Sequence, residues 1–395
     1  MENSNNTAKR KIRMGMVGGD FNAFIGGVHR KALALDGQIE LIAGAFSHIP
    51  EYSHKTGEML MLDPSRVHDT YQDFLAHELT LPEDQRVDFV SIVTPNFTHF
   101  EIAKAFLNAG INVYCEKPMT MTSEEAAELV ELTEKTGLTF GLNHNYTGYP
   151  MVKLAKDLVK DNKLGKVLKV RVQYPQGWLA TPIDQEGQMQ AEWRTDPKRA
   201  GAAGCVGDIG SHAANLAEYI TGLRIEEVCA ELTSFVPGRQ LDDDGNMLLR
   251  LEDGAKGVLI ASQISVGCQN QLAIWVHCQH GTLEWHQEHP EELFIYKIDE
   301  PDQVWHRGNG YVAEASEAAA RATRLPGGHP EGFFEAMANL YANFADTLRA
   351  KMAGETPSPI VNDFPDVVDG LAGMRFIETA VESSKAGAVW KKIPR

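Results

Sequence analysis

An aspartate and a histidine, Asp208 and His212, stand four residues apart in the stretch GDIGSHAANL. Residues four apart on an α-helix lie on one face, one turn apart. A carboxylate beside an imidazole, whose reference pKa is about 6.5, suits proton transfer near neutral pH. A helix cap formed by Asp208 and a surface position for His212 would suit the segment equally well. This stretch alone leaves both interpretations open.

The first part of the chain predicts a layered α/β domain. Between positions 12 and 145, apolar runs alternate with helical patterns, beginning with the strand IRMGMVG and the helix GGVHRKALALDG. Further strands are predicted at IELIAGAF, VDFVSIVTP, INVYCEKP and LTFGLNH. Strands of nearly continuous apolar residues separated by helices of about 10–15 residues indicate a doubly wound parallel sheet. Such sheets bind ligands at the carboxyl ends of their strands.

The pattern changes after Pro150, where one helix is followed by strand patterns such as KVLKVRVQYPQ and IEEVCAELTSF, and helices return at the end. We therefore expect an α/β fold class with an N-terminal doubly wound parallel sheet and a C-terminal α+β domain. The second domain is predicted to hold a large, open, mostly antiparallel sheet. The predicted domains are residues 1–148, with a flexible tail at 1–10, and residues 149–395. Residues 178–206 predict a long loop, which at that length is usually functional.

A glycine-rich turn, GMVGGDFNAFIGGVHR, follows the first strand and opens a helix. Gly18 and Gly19 permit a tight turn and close approach of the backbone. Gly26 and Gly27 permit close packing of the helix and expose N–H groups to a pyrophosphate. The interval from Gly18 to Gly26 is longer than the G-x-G-x-x-G pattern allows. With several β–α repeats behind it, we nevertheless expect this turn to bind a dinucleotide.

The end of the second strand bears on which dinucleotide binds. An acid there binds the adenosine 2′-hydroxyl and repels a 2′-phosphate. The chain reads Ala45-Phe46-Ser47-His48, with no carboxylate before Glu51. Ser47 suits either a hydroxyl or a phosphate, and there is no arginine clamp. NAD and NADP therefore both stay open as the cofactor.

Two further motifs, TPNFTHF and YCEKPMT, follow the third and fourth strands. The chemistry-bearing motifs are the Gly-rich turn, Thr94-Pro95-Asn96, Glu116-Lys117-Pro118, Asn143-His144-Asn145 and GDIGSHAANL. In these motifs the chain resembles the Gfo/Idh/MocA oxidoreductases, the family of sugar and inositol dehydrogenases, over nearly its whole length. The combination of E-K-P with D-x-x-x-H is the more specific part of the resemblance.

The resemblance implies an NAD(P)-binding Rossmann domain paired with an open-sheet domain. It also implies that Lys117, Asp208 and His212 are catalytic. Cationic Lys117 would polarise the reacting oxygen, and His212 would exchange its proton. Asp208 would orient the substrate or the imidazole.

We expect the cofactor to contact these residues: Gly18, Gly19, Phe21, Asn22, Gly26, Ser47, Thr94, Pro95, Asn96, His99, Glu116, Lys117 and Asn145. Aromatic and polar side chains suit the apolar face and the hydroxyls of a carbohydrate. The expected substrate contacts are Tyr146, Trp178, Trp193, Arg194, Asp208, His212 and His329. Several of these side chains would serve equally well to pin a loop to the sheet or to cap a helix.

The expected function is that of an NAD(P)-dependent dehydrogenase or reductase acting on a CH–OH carbon of a sugar, a sugar derivative or an inositol. An NAD-dependent glycosidase that oxidises its sugar transiently would begin with the same hydride transfer. A dinucleotide-binding protein without chemistry is a third alternative, against which the presence of Lys117, Asp208 and His212 argues.

Composition narrows the range of partners. The net charge of −17 disfavours nucleic acid and anionic membranes, and no apolar run reaches membrane-spanning length. The opening MENSNNTAKRKIR lacks the apolar run of a signal peptide, and an odd number of five cysteines without C-x-x-C suggests reduced thiols in the cytoplasm. The segment WVHCQHGTLEWHQEH predicts a hairpin without zinc spacing, so we expect no metal.

We expect a homodimer or homotetramer formed through the C-terminal sheet.

Overall fold

A computed structural model describes residues 10–395. The predicted flexible tail lies outside the described residues except for Arg10, whose guanidinium pairs with Asp88 at 2.6 Å. The chain forms two compact units. Among the described residues, the first unit holds 10–120, 124–145 and 333–370, and the second holds 121–123, 146–332 and 371–395.

The first unit contains a five-stranded parallel sheet in the order β2-β1-β3-β4-β5, which confirms the predicted doubly wound sheet. Its strands are β1 (Ile12–Val17), β2 (Ile39–Ala45), β3 (Phe89–Ile92), β4 (Asn112–Cys115) and β5 (Phe140–Leu142). The helices along this part of the chain are α1 (Phe24–Ala34), α2 (Pro50–Met59), α3 (Tyr71–Thr80), α4 (His99–Asn108) and α5 (Ser123–Thr136). Ligands bind such sheets where the strand order reverses, which here is between β1 and β3.

The second unit contains a nine-stranded sheet in the order β13-β12-β11-β10-β6-β9-β8-β7-β14. Its strands are β6 (Val167–Pro175), β7 (Ile225–Thr233), β8 (Asp244–Leu251), β9 (Lys256–Ser262), β10 (Ala273–Cys278), β11 (Gly281–His286), β12 (Glu292–Lys297), β13 (Gln303–His306) and β14 (Lys391–Lys392). The neighbours pair antiparallel except β6 and β9, which run parallel. The predicted mostly antiparallel sheet is confirmed.

The remaining helices are α6 (Pro150–Lys160), α7 (Met189–Arg194), α8 (Pro197–Ala200), α9 (Ser211–Thr221), α10 (Gly310–Ala315), α11 (Glu317–Arg321), α12 (Phe333–Met352) and α13 (Val367–Lys385). The segment predicted as one long loop, 178–206, contains the short helices α7 and α8. Within residues 10–395, no helix combines the length and the apolarity needed to cross a bilayer.

The compact units differ from the predicted division at residues 148 and 149, because α12 packs in the first unit. Its apolar side chains cover the parallel sheet. The Tyr341 ring stacks on Tyr114 of β4 at 4.5 Å between centroids, and Phe344 packs against Phe89 of β3 at 5.1 Å. A helix more than 200 positions away in sequence thus supplies part of the core of the N-terminal sheet.

Candidate active site

The structure places the predicted cofactor residues of the first unit at the carboxyl ends of its parallel strands. Gly18 and Gly19 follow β1, and Ser47 follows β2. The remaining members lie as follows: Phe21 and Asn22 before α1, Gly26 in its first turn, Thr94, Pro95, Asn96 and His99 after β3, Glu116 and Lys117 after β4, and Asn145 after β5. Strands that are adjacent in a parallel sheet end at one edge, so these residues share that edge.

Three glycines of the Gly-rich turn are required by close packing. Gly18 and Gly19 have φ of +83° and +76°, a region that L side chains rarely adopt. A Cβ on Gly18 would lie 2.7 Å from Cγ2 of Thr94, and one on Gly26 would lie 2.4 Å from Cα of Gly19. The predicted packing role of Gly27 is wrong, because a Cβ there would meet no atom closer than 4.0 Å.

The residues around the turn are also held by the protein. The Phe21 amide donates to Thr56 Oγ1 at 3.2 Å, and its ring packs edge-on against Tyr52 at 5.3 Å between centroids. The Asn22 amide donates to Asp20 Oδ1 at 2.9 Å. The side chain of Asp20 therefore shapes the loop that precedes α1.

The His99 side chain contacts both the turn after β3 and the turn after β4. It is buried, and its Nε2 lies 2.8 Å from the carbonyl oxygen of Thr94 while its Nδ1 lies 2.9 Å from that of Pro118. Burial lowers the pKa of this imidazole although both carbonyls oppose the shift. The ring thus positions the Thr94-Pro95-Asn96 turn relative to the E-K-P turn, in which the Lys117–Pro118 peptide is cis.

A buried network fixes the carboxylate of the E-K-P motif. Glu116 Oε1 lies 2.7 Å from His29 Nε2 and accepts a hydrogen bond from Asn143 Nδ2 at 2.5 Å. Its Oε2 accepts the amide of Lys117 at 3.1 Å, and His29 Nδ1 lies 2.6 Å from the Tyr341 hydroxyl. Burial raises the pKa of Glu116, but the contacts with His29, Lys117 and Asn143 outweigh it and lower the pKa overall. Glu116 therefore holds the backbone of Lys117 as an anion.

In the second unit, the motif GDIGSHAANL begins with a π-helical turn, Val206–Gly210, that runs directly into α9. π-helical turns inside helices are frequent at functional sites. Asp208 lies inside this turn and does not cap it. The amides of Gly204 and Val206 donate instead to the carboxylate of Asp242, at 2.7 and 2.8 Å. The capping interpretation of Asp208 is therefore wrong.

Side chains of the second unit hold Asp208 in place. Its Oδ2 accepts hydrogen bonds from Gln263 Nε2 at 2.9 Å and from Arg194 Nε at 3.3 Å. Arg194 is fixed in turn by Gln190, whose Oε1 accepts from Nη1 at 2.7 Å, and its guanidinium lies 4.2 Å from the Trp193 ring centroid. The Asp208 carboxylate is thus oriented by one residue at the end of β9 and by one residue of α7.

The ring of His212 packs against a hydrogen-bonded set of tyrosine and amide groups. It lies edge-on to Tyr146, 4.9 Å between centroids. The Tyr146 hydroxyl contacts that of Tyr174, Tyr174 donates to Asn270 Oδ1 at 2.7 Å, and Asn270 Nδ2 donates back to Tyr146 at 3.3 Å. Burial and the proximity of Tyr146 raise the pKa of Tyr174 well above its ordinary value, so it stays a donor. This closed cycle, the tyrosine–asparagine cycle, fixes the surface on which His212 rests.

The other predicted substrate residues divide into two groups. Trp178 and Trp193 join the group around Asp208 through Arg194, whose guanidinium lies 6.0 Å from the Trp178 ring centroid. His329 does not join it. Its side chain is exposed, and its Nδ1 lies 3.3 Å from the carbonyl oxygen of Pro326.

Several residues of this group are not among those predicted from the sequence. Gln263 follows β9, and Tyr174 lies near the end of β6. Gln176, which follows β6, donates from Nε2 to Asn270 Oδ1 at 2.7 Å. Because β6 and β9 are the parallel pair of the sheet, their carboxyl ends lie at the same edge. Polar residues after both strands were the available signal, but the parallel pairing was not predicted. Asn270 carried no signal of its own.

Two family models match this chain, one in its N-terminal part and one in its C-terminal part. Residues 12–144 match the family described as an oxidoreductase family with an NAD-binding Rossmann fold. Residues 152–284 match the family described as the GFO/IDH/MocA C-terminal domain. The two matches together span most of the chain.

Individual relatives align over nearly the full length. An uncharacterized oxidoreductase of Bacillus subtilis (strain 168), YfiI, is 33% identical over 395 residues, which cover 99% of each chain. The crystal structure of an inositol dehydrogenase homolog from Azotobacter vinelandii, complexed with NAD+, has a TM-score of 0.92 and 34% identity, covering 99% of this chain and 100% of that one. A second structure of an inositol dehydrogenase homolog from the same organism, complexed with NADH and myo-inositol, has a TM-score of 0.89 and 34% identity, covering 97% and 98%.

Proposed function

Because this chain belongs to the GFO/IDH/MocA family of oxidoreductases, we propose that it transfers a hydride between NAD(P) and a secondary alcohol or ketone carbon of a sugar, a sugar derivative or an inositol. The similar Azotobacter vinelandii structure that contains NADH and myo-inositol supports this substrate class. Within this chain, the observation that carries the proposal is the group of Asp208, His212 and their fixed neighbours in the second unit.

The first unit fits a dinucleotide. Gly18 and Gly19 lack side chains where the backbone turns sharply, and among residues 10–395 no side chain caps the N-terminus of α1. The exposed N–H groups of such a helix start suit a pyrophosphate. Asn145 adds a buried amide nitrogen without a hydrogen-bond partner in the described part of the chain. Bound there, NAD(P) would supply the hydride acceptor or donor.

The residues of the chain would handle the oxygen of the substrate. We propose that His212 takes the hydroxyl proton during oxidation and returns it during reduction. The ammonium of Lys117 would stabilise the charge that develops on the same oxygen. Asp208, oriented by Gln263 and Arg194, would align the substrate or the imidazole. The tryptophans beside Arg194 would offer apolar surface to a sugar ring.

A panel of sugars, inositols and glycosides tests the proposal. The purified protein is incubated with each compound and with NAD+ or NADP+, and both reduced nucleotide and released aglycone are measured. We expect reduced nucleotide with at least one sugar or inositol and no released aglycone. Aglycone release without net reduction would instead indicate a redox-assisted glycosidase. Absence of both, across the panel and in the reverse direction with ketones, would contradict the proposal.

The close packing of Gly26 against Gly19 in the Gly-rich turn leads to a prediction for Gly26. In Gly26→Val, the new Cβ would press on Gly19, displace the turn and misplace its N–H donors. Each misplaced donor costs about 1 kcal/mol, so we expect affinity for NADH or NADPH to fall roughly tenfold. Titration of protein fluorescence with each nucleotide measures this. Gly27→Ala is the matched control, because its Cβ has room. Equal affinities for both variants would show that the turn does not bind the dinucleotide.

We propose that copies of this chain form a homo-oligomer through the outer face of the nine-stranded sheet. Leu248 and Val304 on this face are 50% and 41% exposed in the single chain. Strand register aligns one row across seven strands: Leu248, Val258, Arg171, Trp275, Glu284, Phe294 and Val304. A row with five apolar side chains favours burial against a second copy of the same face.

Light scattering tests this assembly. We expect twice or four times the mass of one chain at micromolar concentration. Leu248→Lys would place a charge in the interface and should lower the mass towards that of a monomer. Met61→Lys, at a residue that is 91% exposed in the first unit, is the control and should leave the mass unchanged. A monomeric wild-type protein would rule out the assembly.

A further inference from the structure

The Gly-rich loop supplies a carboxylate to the end of β2, where the sequence itself has none. Asp20 Oδ2 accepts a hydrogen bond from Ser47 Oγ at 2.8 Å, although the two residues stand 27 positions apart. Asp20 Oδ1 accepts the amide of Asn22 at 2.9 Å. Phe46, which directly follows β2, is 1% exposed and faces the core. The first polar group after β2 is therefore a serine already paired with a carboxylate.

The carboxylate of Asp20 keeps acceptor capacity for a ligand. Each of its oxygens has two lone pairs and accepts one of these hydrogen bonds. The side chain is only half-buried. A ribose 2′-hydroxyl can donate to such an oxygen, whereas a 2′-phosphate brings two negative charges against it.

The two nearby cations, Arg30 and Lys55, each have a contact of their own within the protein. Arg30 Nη1 donates to the carbonyl oxygen of Gly19 at 2.5 Å, so its guanidinium is tied to the main chain. Burial lowers the pKa of Arg30, and the negative charge of Asp20 opposes that shift. The ammonium of Lys55 lies 4.4 Å from the Phe21 ring centroid, on an exposed side chain.

We propose that Asp20 is the residue that makes this enzyme prefer NAD over NADP. The acid then comes from the Gly-rich loop, whereas other dinucleotide-binding sequences carry it near the end of the second strand. This inference rests on the proposed dinucleotide site. Under this inference Asp20, and not Ser47 or Glu51, distinguishes NAD from NADP.

Binding titrations test the proposal without relying on turnover. Quenching of protein fluorescence is measured with NADH and with NADPH, which differ only in the 2′-phosphate. We expect the wild-type protein to bind NADH roughly 10- to 100-fold more tightly. In Asp20→Asn, which keeps the shape and an acceptor for Ser47, the ratio should shrink by about tenfold, mainly through tighter NADPH binding. Asp20→Ser should shift the ratio in the same direction.

Glu51→Gln is the matched control, because Glu51 is the first carboxylate after β2 in the sequence and is exposed. Its ratio should equal that of the wild-type protein. Equal wild-type affinities for the two nucleotides would overturn the proposal, as would an unchanged ratio in both folded Asp20 variants or an equal change in Glu51→Gln. Failure to bind either nucleotide would instead overturn the dinucleotide site itself, so the two failures are distinguishable.

Discussion

Replacing His212 with alanine should lower turnover by roughly 10²- to 10⁴-fold, which is the usual contribution of a positioned acid–base group. The imidazole rests on the tyrosine–asparagine cycle and is 7% exposed, so its orientation is fixed. Affinity for NADH should stay nearly unchanged, because the predicted cofactor contacts lie in other residues. Steady-state rates with the substrate found in the panel, together with a nucleotide titration, measure both quantities.

The control for this prediction is His306→Ala, which removes an exposed imidazole of the second unit. Turnover of this variant should match the wild-type protein. Thermal melting of the His212→Ala protein should show a single transition, so that lost activity is not lost folding. If the His212→Ala protein kept full activity, His212 would contribute only to packing and not to catalysis.

Under the proposed function, Lys117 acts on the same substrate oxygen as His212. We expect Lys117→Ala to lose a comparable factor in turnover. In the double variant the loss should be smaller than the product of the two single losses, since groups that act as a unit are not additive. A fully multiplicative loss would mean that the two side chains act independently. Lys104→Ala, which removes a surface ion pair with Glu128, is the control.

The outline of the fold could be predicted because local signals agree with it. The five strands of the parallel sheet are short apolar runs bounded by turns, and α12 and α13 show clear helical patterns. The strands β12, β13 and β14 were not predicted, and neither was the place of α12. A helical pattern shows which face of α12 is apolar, but not that Tyr341 and Phe344 pack on the N-terminal sheet.

The candidate site was predictable only where a motif is local. Lys117, Asp208 and His212 lie in short recognisable stretches. The groups that hold them come from distant positions: His29 stands 87 residues from Glu116, and Gln263 stands 55 residues from Asp208. These contacts depend on strand pairing and on loop paths, which periodicity does not specify. The same reason explains why the sequence does not show that Asp20 of the Gly-rich loop lies beside Ser47.

Asp208→Asn should lower turnover by roughly 10- to 100-fold, because it removes a charge whose hydrogen bonds are worth about 1.5–3 kcal/mol. The amide keeps the size of the side chain and one oxygen for Gln263. The melting temperature should move by only a few degrees, since a partly exposed ion pair such as that with Arg194 contributes about 0–1 kcal/mol. Asp184→Asn, in another aspartate–arginine pair of the second unit, should leave turnover unchanged.

The two proposed roles of Asp208 give different results when its variant is combined with His212→Ala. If Asp208 acts by aligning the imidazole, Asp208→Asn costs little further turnover once the imidazole is gone. If it aligns the substrate, the same loss appears in both backgrounds and is accompanied by a raised KM. Unchanged turnover and unchanged KM in the single variant would contradict both roles. In that case the contacts with Gln263 and Arg194 would only close the π-helical turn against α7 and the end of β9.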